Sequence, residues 1–267
     1  MGIAKLAKNN INLHIKKIKK MINEYFFQRK TFRNFKQEDI SKKEIENILS
    51  AASFAPTCGN MQLYSVIITR NNDKKRELEK LHYNQPAATT APVILTVCAD
   101  FKRFKEWCKL NKANPGYNNF HSFIMAMTDA IIYAQQIVTI AELNGYGTCY
   151  LGTVNYNAKE ISELLKLPDL VIPVASIAIG VVQNDEVKTE RMKVNAFAFD
   201  EEYPELNEEI IKENFQIKEE FPLNKKFVED NKKANLAQVF TDIRYPGHVN
   251  EKVSESFMDL LKEKGFV

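Results

Sequence analysis

Apolar positions recur along this chain in two patterns, helical spacing and short continuous runs. Spacing of three and four residues predicts helices, in chain order, at 1–26, 41–54, 74–82, 120–144, 157–167 and 250–264. Short apolar runs predict strands at 64–69, 92–98 and 174–182. The last two runs are apolar enough that we expect those strands in the interior of a sheet. Strands that alternate with helices favour one sheet covered by helices, an α+β or α/β arrangement.

Residues at the helix ends indicate where several of these helices begin and stop. Ser41 and Glu44 form a capping box at the start of the second helix. Pro56 ends the same helix, because the residue before a proline avoids helical geometry. Four further boundaries depend on one residue each: the expected N-caps Asn157 and Asn250, and the expected stops Gly145 and Gly265.

Two polar stretches interrupt the pattern. Residues 101–119 contain Asn114-Pro115-Gly116, which predicts a loop, and such a segment often forms a flap over a pocket. Residues 183–240 are charged and irregular, so we interpret them as an extended excursion without a core of its own. The predicted organisation is an amphipathic helical extension at 1–26 and one domain at 27–267, which includes a C-terminal excursion over about 183–267.

Composition narrows the class of protein without naming a function. The 267 residues carry 37 basic and 34 acidic side chains, and a net charge of +3 is too balanced to indicate nucleic-acid binding. The four cysteines form no C-x-x-C pair, which favours free thiols in a reducing cytosol. No uninterrupted apolar run reaches about 18 residues and no secretory signal opens the sequence, so we expect a cytoplasmic protein without a membrane partner.

The opening helix leaves two interpretations. Ile11, Ile15, Ile18 and Ile22 share one face, and lysines lie between them. Such a helix could lie on a membrane surface. It could also pack on the domain or on a partner with its lysines in water, and the sequence favours this second interpretation.

Several catalytic patterns are missing from the sequence. It has no G-x-G-x-x-G fingerprint, no P-loop, no G-x-S-x-G elbow and no H-E-x-x-H helix. The four histidines are scattered, so each is expected to be a surface or satisfied side chain rather than a metal ligand. We therefore predict no metal site, and we assign no catalytic acid or base to the protein.

Three polar segments have the composition of ligand-binding sites. Residues 29–33 gather three cations and a hydroxyl, which could clamp a phosphate through charge-assisted hydrogen bonds. The loop at 55–62 carries polar groups that could meet the edge of a heterocycle. Two cations at 188–191 follow the last strand and could meet an anion. Taken singly, the first and third segments are better explained as a solvated charge run and a charged loop, and the second is equally well explained as a helix-to-strand turn.

In this order and spacing, the segments resemble the nitroreductase family of FMN enzymes. The family's R-R-[ST]-[IVF]-R-x-F opening is matched by residues 29–35, and its A-P-S-x-x-N-x-Q loop by residues 55–62. Its G-x-G-x-x-[YW]-[IL]-G segment is matched by residues 145–152, and its closing cation pair by residues 188–191. The resemblance covers roughly residues 25–267 and is nearest to the NADPH nitroreductase and flavin reductase subgroup, which the Phe-Thr-Asp-Ile-Arg-Tyr segment beginning at Phe240 also resembles.

The resemblance implies an α+β, three-layer α/β/α fold with a central, mainly antiparallel sheet. It also implies a homodimer that holds FMN at the subunit interface. The residues expected to bind the cofactor are Arg29, Lys30, Thr31, Arg33, Thr57, Asn60, Gln62, Gln85, Tyr150, Leu151, Gly152, Thr153, Lys188 and Arg191. In that set the cations at 29–33 and 188–191 would hold the phosphate, and the segments at 57–62 and 150–153 would line the flavin ring.

Three features depart from the family pattern. Lys30 stands where an arginine is usual, and Thr153 replaces a glycine. The spacing between Lys188 and Arg191 is one residue longer than K-x-R. A lysine keeps the charge of an arginine but not its planar fork, so the phosphate contact at position 30 is expected to differ.

The implied activity is electron transfer from NADPH or NADH through flavin N5 to a flat small-molecule acceptor, with ping-pong kinetics. Nitroaromatics, quinones and free flavin all have the required shape. One alternative is a flavin-binding or flavin-degrading protein of the same fold without NAD(P)H turnover. Another is a binding module whose basic opening helix contacts nucleic acid or membrane. The sequence favours the oxidoreductase, with neither nucleic acid nor membrane as a partner.

Overall fold

The computed structural model describes residues 23–267, and residues 23–28 are helical. Most of the predicted opening extension, including the isoleucine face at 11–22, lies outside the described residues. The chain from residue 29 onward contributes one sheet and the helices on its two faces.

Four strands form one antiparallel sheet in the order β1-β2-β4-β3. Their bounds are Tyr64–Thr69 (β1), Val93–Asp100 (β2), Gly147–Tyr150 (β3) and Val171–Gly180 (β4). Every residue of β2 and β4 is buried, because these strands occupy the middle of the sheet. The three predicted strands are confirmed, and β3 is a further short strand at the edge.

Helices precede, separate and follow the strands. After residue 40 the α-helices are Lys42–Ala52 (α1), Asn72–Leu81 (α2), Pro86–Thr90 (α3), Lys102–Leu110 (α4), Phe120–Leu143 (α5), Ala158–Leu164 (α6), Glu208–Glu220 (α7), Pro222–Asp230 (α8), Leu236–Val239 (α9) and Gly247–Glu263 (α10). A π-helical turn at Phe240–Arg244 joins α9 to the segment before α10.

The helices α1, α5 and α10 cover one face of the sheet. Ile45, Ile137 and Leu260, one from each helix, are buried in the same cluster as Leu95 and Ile177 of the two central strands. This cluster is the main hydrophobic core, and the burial of its apolar area is the chief source of stability.

The helices α2, α3 and α6 cover the opposite face. Leu78, Ala88 and Ile161, one from each of them, are buried with Ile94 and Ala178 of the central strands. Successive side chains of a strand point to opposite faces, so both faces of β2 and β4 are packed. The three-layer α/β/α fold expected from the resemblance is confirmed.

The 24-residue helix α5 is the central helix of the first layer. The side-chain oxygen of Asn119 caps it by accepting from the backbone N–H of Ser122, and Gly145 follows it at a φ of 87°. Among the described residues, α5 is the one helix whose length and apolar composition match a membrane-spanning segment. Ala130 and Ala134 are fully buried in the main core, as the nearly all-round apolar pattern predicted.

The predicted capping box of α1 is confirmed. The hydroxyl of Ser41 accepts from the backbone N–H of Glu44 at 3.1 Å, and the Glu44 carboxylate accepts from the backbone N–H of Ser41 at 2.9 Å. Tyr146 donates its hydroxyl to the same carboxylate at 2.6 Å, which ties α1 to the start of β3. These hydrogen bonds lower the pKa of Glu44.

Of the two other expected N-caps, Asn157 is at the predicted position but makes no capping bond, and Asn250 is wrong. Helix α6 begins after Asn157, but that side chain makes no capping bond and donates from Nδ2 to the backbone oxygen of Leu81 at 2.6 Å. Helix α10 begins after Pro246 and leaves Asn250 inside its first turn. Nδ2 of Asn250 donates to a backbone carbonyl outside the helix. In both places a carbonyl outside the helix replaces the local capping bond.

Helices occupy much of the two stretches that were predicted to be loops. Helix α4 fills half of 101–119, and the rings of Phe101 and Tyr117 stack at a centroid distance of 4.8 Å, which brings the two ends of that stretch together. The excursion from 183 is irregular only as far as 207 and then forms α7, α8 and α9. Helices α7 and α8 bury none of their residues, so the apolar pattern there is weak. Helix α4 does carry apolar residues at helical spacing, Phe104, Trp107 and Cys108, but charged residues surround them and the stretch was predicted to be a loop.

Candidate functional site

One large cavity opens beside the edge strand β3, and it is called the cavity below. Its volume is about 1440 Å³, above the roughly 300–1,000 Å³ of an ordinary ligand pocket. Its walls come from residues 29–33, 83–85, 149–156, 186–191 and 218–245, together with Gln135 of α5. A flat ring system would leave room in this space for a second ring stacked on it.

Eight of the residues predicted for cofactor binding line the cavity: Arg29, Thr31, Arg33, Gln85, Tyr150, Gly152, Thr153 and Arg191. They come from four segments that are far apart in the sequence, so the fold alone brings them together. The stretch 101–119, predicted to be a flap, contributes no residue to the wall.

Three predicted residues are sequence neighbours of the lining residues but are not on the wall. Nζ of Lys30 lies 2.7 Å from Oδ1 of the exposed Asp185. Leu151 is buried under the wall, and Lys188 is exposed outside it. In an extended segment successive side chains alternate in direction, which sends Lys30 away from the side that Arg29 faces.

The loop at 57–62 was also expected to line the flavin, through Thr57, Asn60 and Gln62. None of the three lines the cavity of its own chain. Asn60 and Gln62 are exposed and adopt φ values of 56° and 54°, in the left-handed region that non-glycine residues rarely occupy. Strained backbone of this kind persists only where surrounding contacts hold it.

A buried carboxylate supplies those contacts. Asp129 of α5 is 1% exposed, and its two oxygens accept the backbone N–H groups of Cys58 at 2.7 Å and of Leu63 at 3.2 Å. These are the residues just inside and just beyond the loop. Asp129 therefore fixes the conformation in which the loop presents its polar side chains to solvent.

Arg29 is held by a second buried carboxylate. Its Nη2 lies 3.1 Å from Oε1 of Glu142, a side chain that is 6% exposed. Glu142 also accepts hydrogen bonds from the hydroxyls of Tyr25, at 2.8 Å, and Thr148. Burial and the bond to Glu142 raise the pKa of Tyr25 to about 12. Within the described residues, Nε of Arg29 is buried and has no partner, so this guanidinium retains a free donor.

Two other arginines of the wall have no carboxylate partner among residues 23–267. Arg191 donates from Nη1 to the hydroxyl of Thr189 and to the backbone oxygen of Glu190, each at 2.7 Å. The side chain of Arg33 makes no hydrogen bond or ion pair within the same range of residues. Guanidinium groups that have no carboxylate partner at a cavity wall provide the charge and the forked donors that a phosphate needs.

Two glycines fix the position of the segment that carries these arginines. A Cβ on Gly180 would lie 2.7 Å from the Cβ of Phe35, and one on Gly147 would lie 3.0 Å from the Cβ of Phe32. The backbone N–H of Phe32 donates to the oxygen of Thr148 at 3.1 Å. The two phenylalanines therefore pack against bare backbone of the sheet, and Arg33, which lies between them in the sequence, lines the cavity.

The wall formed by residues 218–245 was missed in the sequence analysis. It contains Phe227, Phe240 and Tyr245, and the guanidinium of Arg244 lies 4.3 Å from the ring centroid of Phe227. The available signal was the density of aromatic residues in a stretch otherwise rich in charge. Aromatic faces of this kind stack on flat ligands.

His82 lies behind the wall and is fully buried. Its Nδ1 is 2.8 Å from the hydroxyl oxygen of Thr153, which lines the cavity. Burial lowers the pKa of His82 to about 4, so the ring is neutral at physiological pH. His82 is therefore a buried histidine whose Nδ1 has a hydrogen-bonding partner and whose Nε2 has none among the described residues.

The burial of His82 predicts a pH dependence of stability. The folded pKa is about 4 and the ordinary value is 6.5, so between these pH values the unfolded chain binds a proton that the folded chain excludes. The free energy of unfolding should therefore fall by about 3 kcal/mol, from this group, as pH decreases through that window. Urea titrations of wild type and His82→Asn at several pH values measure it. Equal pH profiles for the two proteins would contradict the prediction.

The cysteines are free thiols, and three of the four are buried. Burial raises the pKa of the Cys149 thiol, which lines the cavity and therefore stays protonated at neutral pH. Within residues 23–267 no three His, Cys, Asp or Glu side chains gather as they would around a metal ion.

Comparison with known proteins gives consistent results. The model of the nitroreductase family matches residues 27–181. A Cr(VI) reductase of Pseudomonas sp. (strain G-1) is 34% identical over 184 residues, which are 68% of this chain and 75% of that protein. FMN reductase (NADPH) of Bacillus subtilis is 29% identical over 182 residues, 67% of this chain and 73% of that one.

A solved structure agrees over a longer stretch. The crystal structure of a protein from Bacteroides fragilis NCTC 9343 superposes with a TM-score of 0.90 at 40% identity, covering 91% of this chain and 99% of the other. The family match spans more than half of the chain, and the structural match extends through most of the C-terminal excursion. On these grounds the chain belongs to the nitroreductase family.

Proposed function

We propose that this chain is an FMN-dependent oxidoreductase that takes electrons from NADPH or NADH and passes them to a flat acceptor. The observation that carries the proposal is the convergence of residues from four distant segments on one cavity, where the guanidinium groups of Arg33 and Arg191 have no carboxylate partner among the described residues. Relatives named FMN reductase and Cr(VI) reductase support it. The acceptors that fit are nitroaromatics, quinones and free flavin.

The residues of the cavity fit the phosphate end of FMN. Arg29 has a buried Nε without a partner among the described residues, and Arg33 and Arg191 have no carboxylate partner there. Thr31 adds a hydroxyl at the same wall. In this proposal these side chains bind the phosphate, and Gln85 and the segment 150–153 line the rest of the cofactor. The flavin, when bound, supplies the hydride and electron chemistry that the protein side chains lack.

The size of the cavity supports alternating occupancy by two substrates. The volume of about 1440 Å³ leaves space beside one flavin, and Phe227, Phe240 and Tyr245 border that space. A nicotinamide or a flat acceptor could stack there, one at a time. Because both substrates would use the same space in turn, we expect ping-pong kinetics.

The proposal includes a homodimer in a cytoplasmic enzyme. The loop at 57–62 carries three predicted flavin contacts but faces solvent in the described chain. Phe54 beside it is 89% exposed, and Ile131 and Ile132 of α5 are exposed apolar residues. Exposed apolar surface of this kind marks sites of protein association.

A second copy of the chain that covers this surface could bring its own loop at 57–62 to the cavity of the first copy. We further propose one FMN-binding domain at 27–267, with residues 1–26 as an extension.

The test is a visible spectrum of the purified protein, followed by anaerobic addition of NADPH and, separately, of NADH. We expect a yellow protein whose flavin absorption bleaches within seconds and returns when a quinone is added. A colourless protein that binds no added FMN would overturn the proposal. A yellow protein that stays oxidised with both nicotinamides would favour the alternative, a flavin-binding protein of the same fold without turnover.

A further inference from the structure

The pair formed by His82 and Thr153 is not used by the function proposed above. By the resemblance described above a glycine is expected at position 153, and this chain has a threonine there. That side chain is half-buried, with the ring of His82 behind it and the cavity in front. A hydroxyl at the cavity wall can donate one hydrogen bond. The protonation of the neighbouring His82 ring nitrogen determines the direction in which the hydroxyl hydrogen points.

The ring of His82 is neutral, so one ring nitrogen carries a hydrogen and the other is an acceptor. Nδ1 faces the Thr153 hydroxyl at 2.8 Å. Nε2 is buried and has no partner in the part of the chain that the structure describes. Buried donors without an acceptor are rarer in proteins than buried acceptors without a donor. The hydrogen therefore belongs on Nδ1, and Nε2 is the unpaired acceptor.

This tautomer determines what the Thr153 hydroxyl can do. If Nδ1–H donates to Oγ1 of Thr153, the hydroxyl hydrogen must find a different acceptor. Within residues 23–267 the hydroxyl has no other hydrogen-bonding partner. Thr153 lines the cavity, so an acceptor on a ligand bound there can receive this hydrogen.

We propose that His82 is a positioning residue, which orients Thr153 so that the hydroxyl hydrogen points into the cavity and donates to an acceptor atom on the ring edge of bound FMN. The inference rests on the proposed function, because it needs the flavin as the acceptor. It assigns a role to one buried histidine and to one hydroxyl that the family pattern lacks. His82 itself touches neither cofactor nor substrate.

The tautomer can be measured directly on the FMN-loaded protein. Nitrogen-15 NMR of protein labelled at histidine distinguishes the protonated from the bare ring nitrogen, and the His82→Asn variant identifies the signals of His82 among the four histidines. We expect hydrogen on Nδ1 and a bare Nε2. A neutral ring with hydrogen on Nε2 would overturn the proposal, because Thr153 would then donate to His82 rather than to the flavin.

Substitutions at Thr153 test the donor itself. Thr153→Val keeps the shape of the side chain and removes the hydroxyl, whereas Thr153→Ser keeps the hydroxyl. We expect Val to weaken the binding of oxidised FMN five- to tenfold, the usual value of one hydrogen bond, and to shift the visible bands of the bound flavin. Ser should retain the wild-type spectrum and bind within twofold of wild type. Identical affinity and spectrum for Val and wild type would refute the donor role.

A double-substitution cycle tests the link between the two residues. His82→Leu removes the ring nitrogen, and His82→Asn places an amide nitrogen near the position of Nδ1. We expect Leu to reproduce the effect of Thr153→Val, Asn to restore part of the affinity, and the Leu/Val double variant to be no weaker than either single variant. Additive losses would show that His82 acts independently of Thr153 and would refute the positioning role. Should His82→Leu not fold, the Asn variant and the NMR measurement still decide the matter.

Failure of this inference is distinguishable from failure of the proposed function. If the wild-type protein binds no FMN, the proposed function fails and this inference fails with it. If wild type binds FMN and is reduced by a nicotinamide, but Thr153→Val behaves as wild type, this inference alone is refuted.

Discussion

Arg33→Glu protein should come off the purification column without its yellow colour. Arg33 projects from a segment that two glycines seat against the sheet, and its guanidinium has no carboxylate partner in residues 23–267. Loss of charge-assisted hydrogen bonds to a phosphate costs about 3 kcal/mol, and the new carboxylate adds repulsion. We therefore expect the dissociation constant of FMN to rise at least a hundredfold, as measured by fluorescence titration of the apoprotein.

The matched control is Arg76→Glu. Arg76 lies on α2 with an exposed side chain that pairs with Asp73, and it does not line the cavity. The same change of charge there should leave FMN binding within about twofold, because the side chain is exposed, does not line the cavity and has its charge screened by solvent and salt. Arg33→Glu protein that is as strongly coloured as its parent would show that the phosphate is bound elsewhere.

Asp129→Ala should be the most destabilising of the substitutions considered. Asp129 is 1% exposed, and the change leaves the backbone N–H groups of Cys58 and Leu63 without their acceptor. Each buried unsatisfied donor costs about 1–3 kcal/mol, so we expect a loss of roughly 4 kcal/mol in the free energy of unfolding. Urea denaturation monitored by circular dichroism measures this loss.

Two further variants serve as a conservative substitution and a control for the stability loss of Asp129→Ala. Asp129→Asn keeps one acceptor oxygen and should lose about half as much stability as alanine. Asp259→Ala removes an exposed carboxylate that pairs with Lys262 and should change stability by less than about 0.5 kcal/mol. If the urea midpoints of Asp129→Ala and Asp259→Ala were equal, the conformation of the loop at 57–62 would not depend on the buried carboxylate of Asp129.

The elements that the sequence predicted correctly are those with strong local patterns. The two central strands have nearly continuous apolar runs, interrupted by Thr96 and Ser176, α5 is apolar nearly all round, and α1 has a complete capping box. By contrast, α7 and α8 lie in a charged stretch and bury none of their residues, and the apolar residues of α4 stand among charged ones. Asn157 precedes its helix as predicted but donates to the distant carbonyl of Leu81, which a local pattern does not contain. The expected cap at Asn250 was wrong because the helix begins three residues earlier, at Gly247.

The candidate site was predicted in part for a similar reason. Contiguous motifs gave Arg29, Arg33 and the segment at 150–153, which the fold brings to one cavity. The role of Glu142 was not predictable, because a single acidic residue at the end of an apolar helix has no motif. The loop at 57–62 was predicted to line the flavin, and none of Thr57, Asn60 and Gln62 lines the cavity of the described chain, since a sequence motif gives residue types and not their position in space.

Phe32 packs closely against Gly147, and Phe35 packs closely against Gly180. These contacts restrict which positions can be varied to change the cofactor that the protein binds. A mutant library aimed at a different cofactor could vary Lys30 freely, because its side chain reaches only an exposed aspartate. Randomising either phenylalanine, or replacing either glycine with a larger residue, would instead shift the backbone that aims Arg33. Directed evolution of binding specificity should therefore keep both phenylalanines and both glycines unchanged and confine diversity to neighbouring positions such as Lys30.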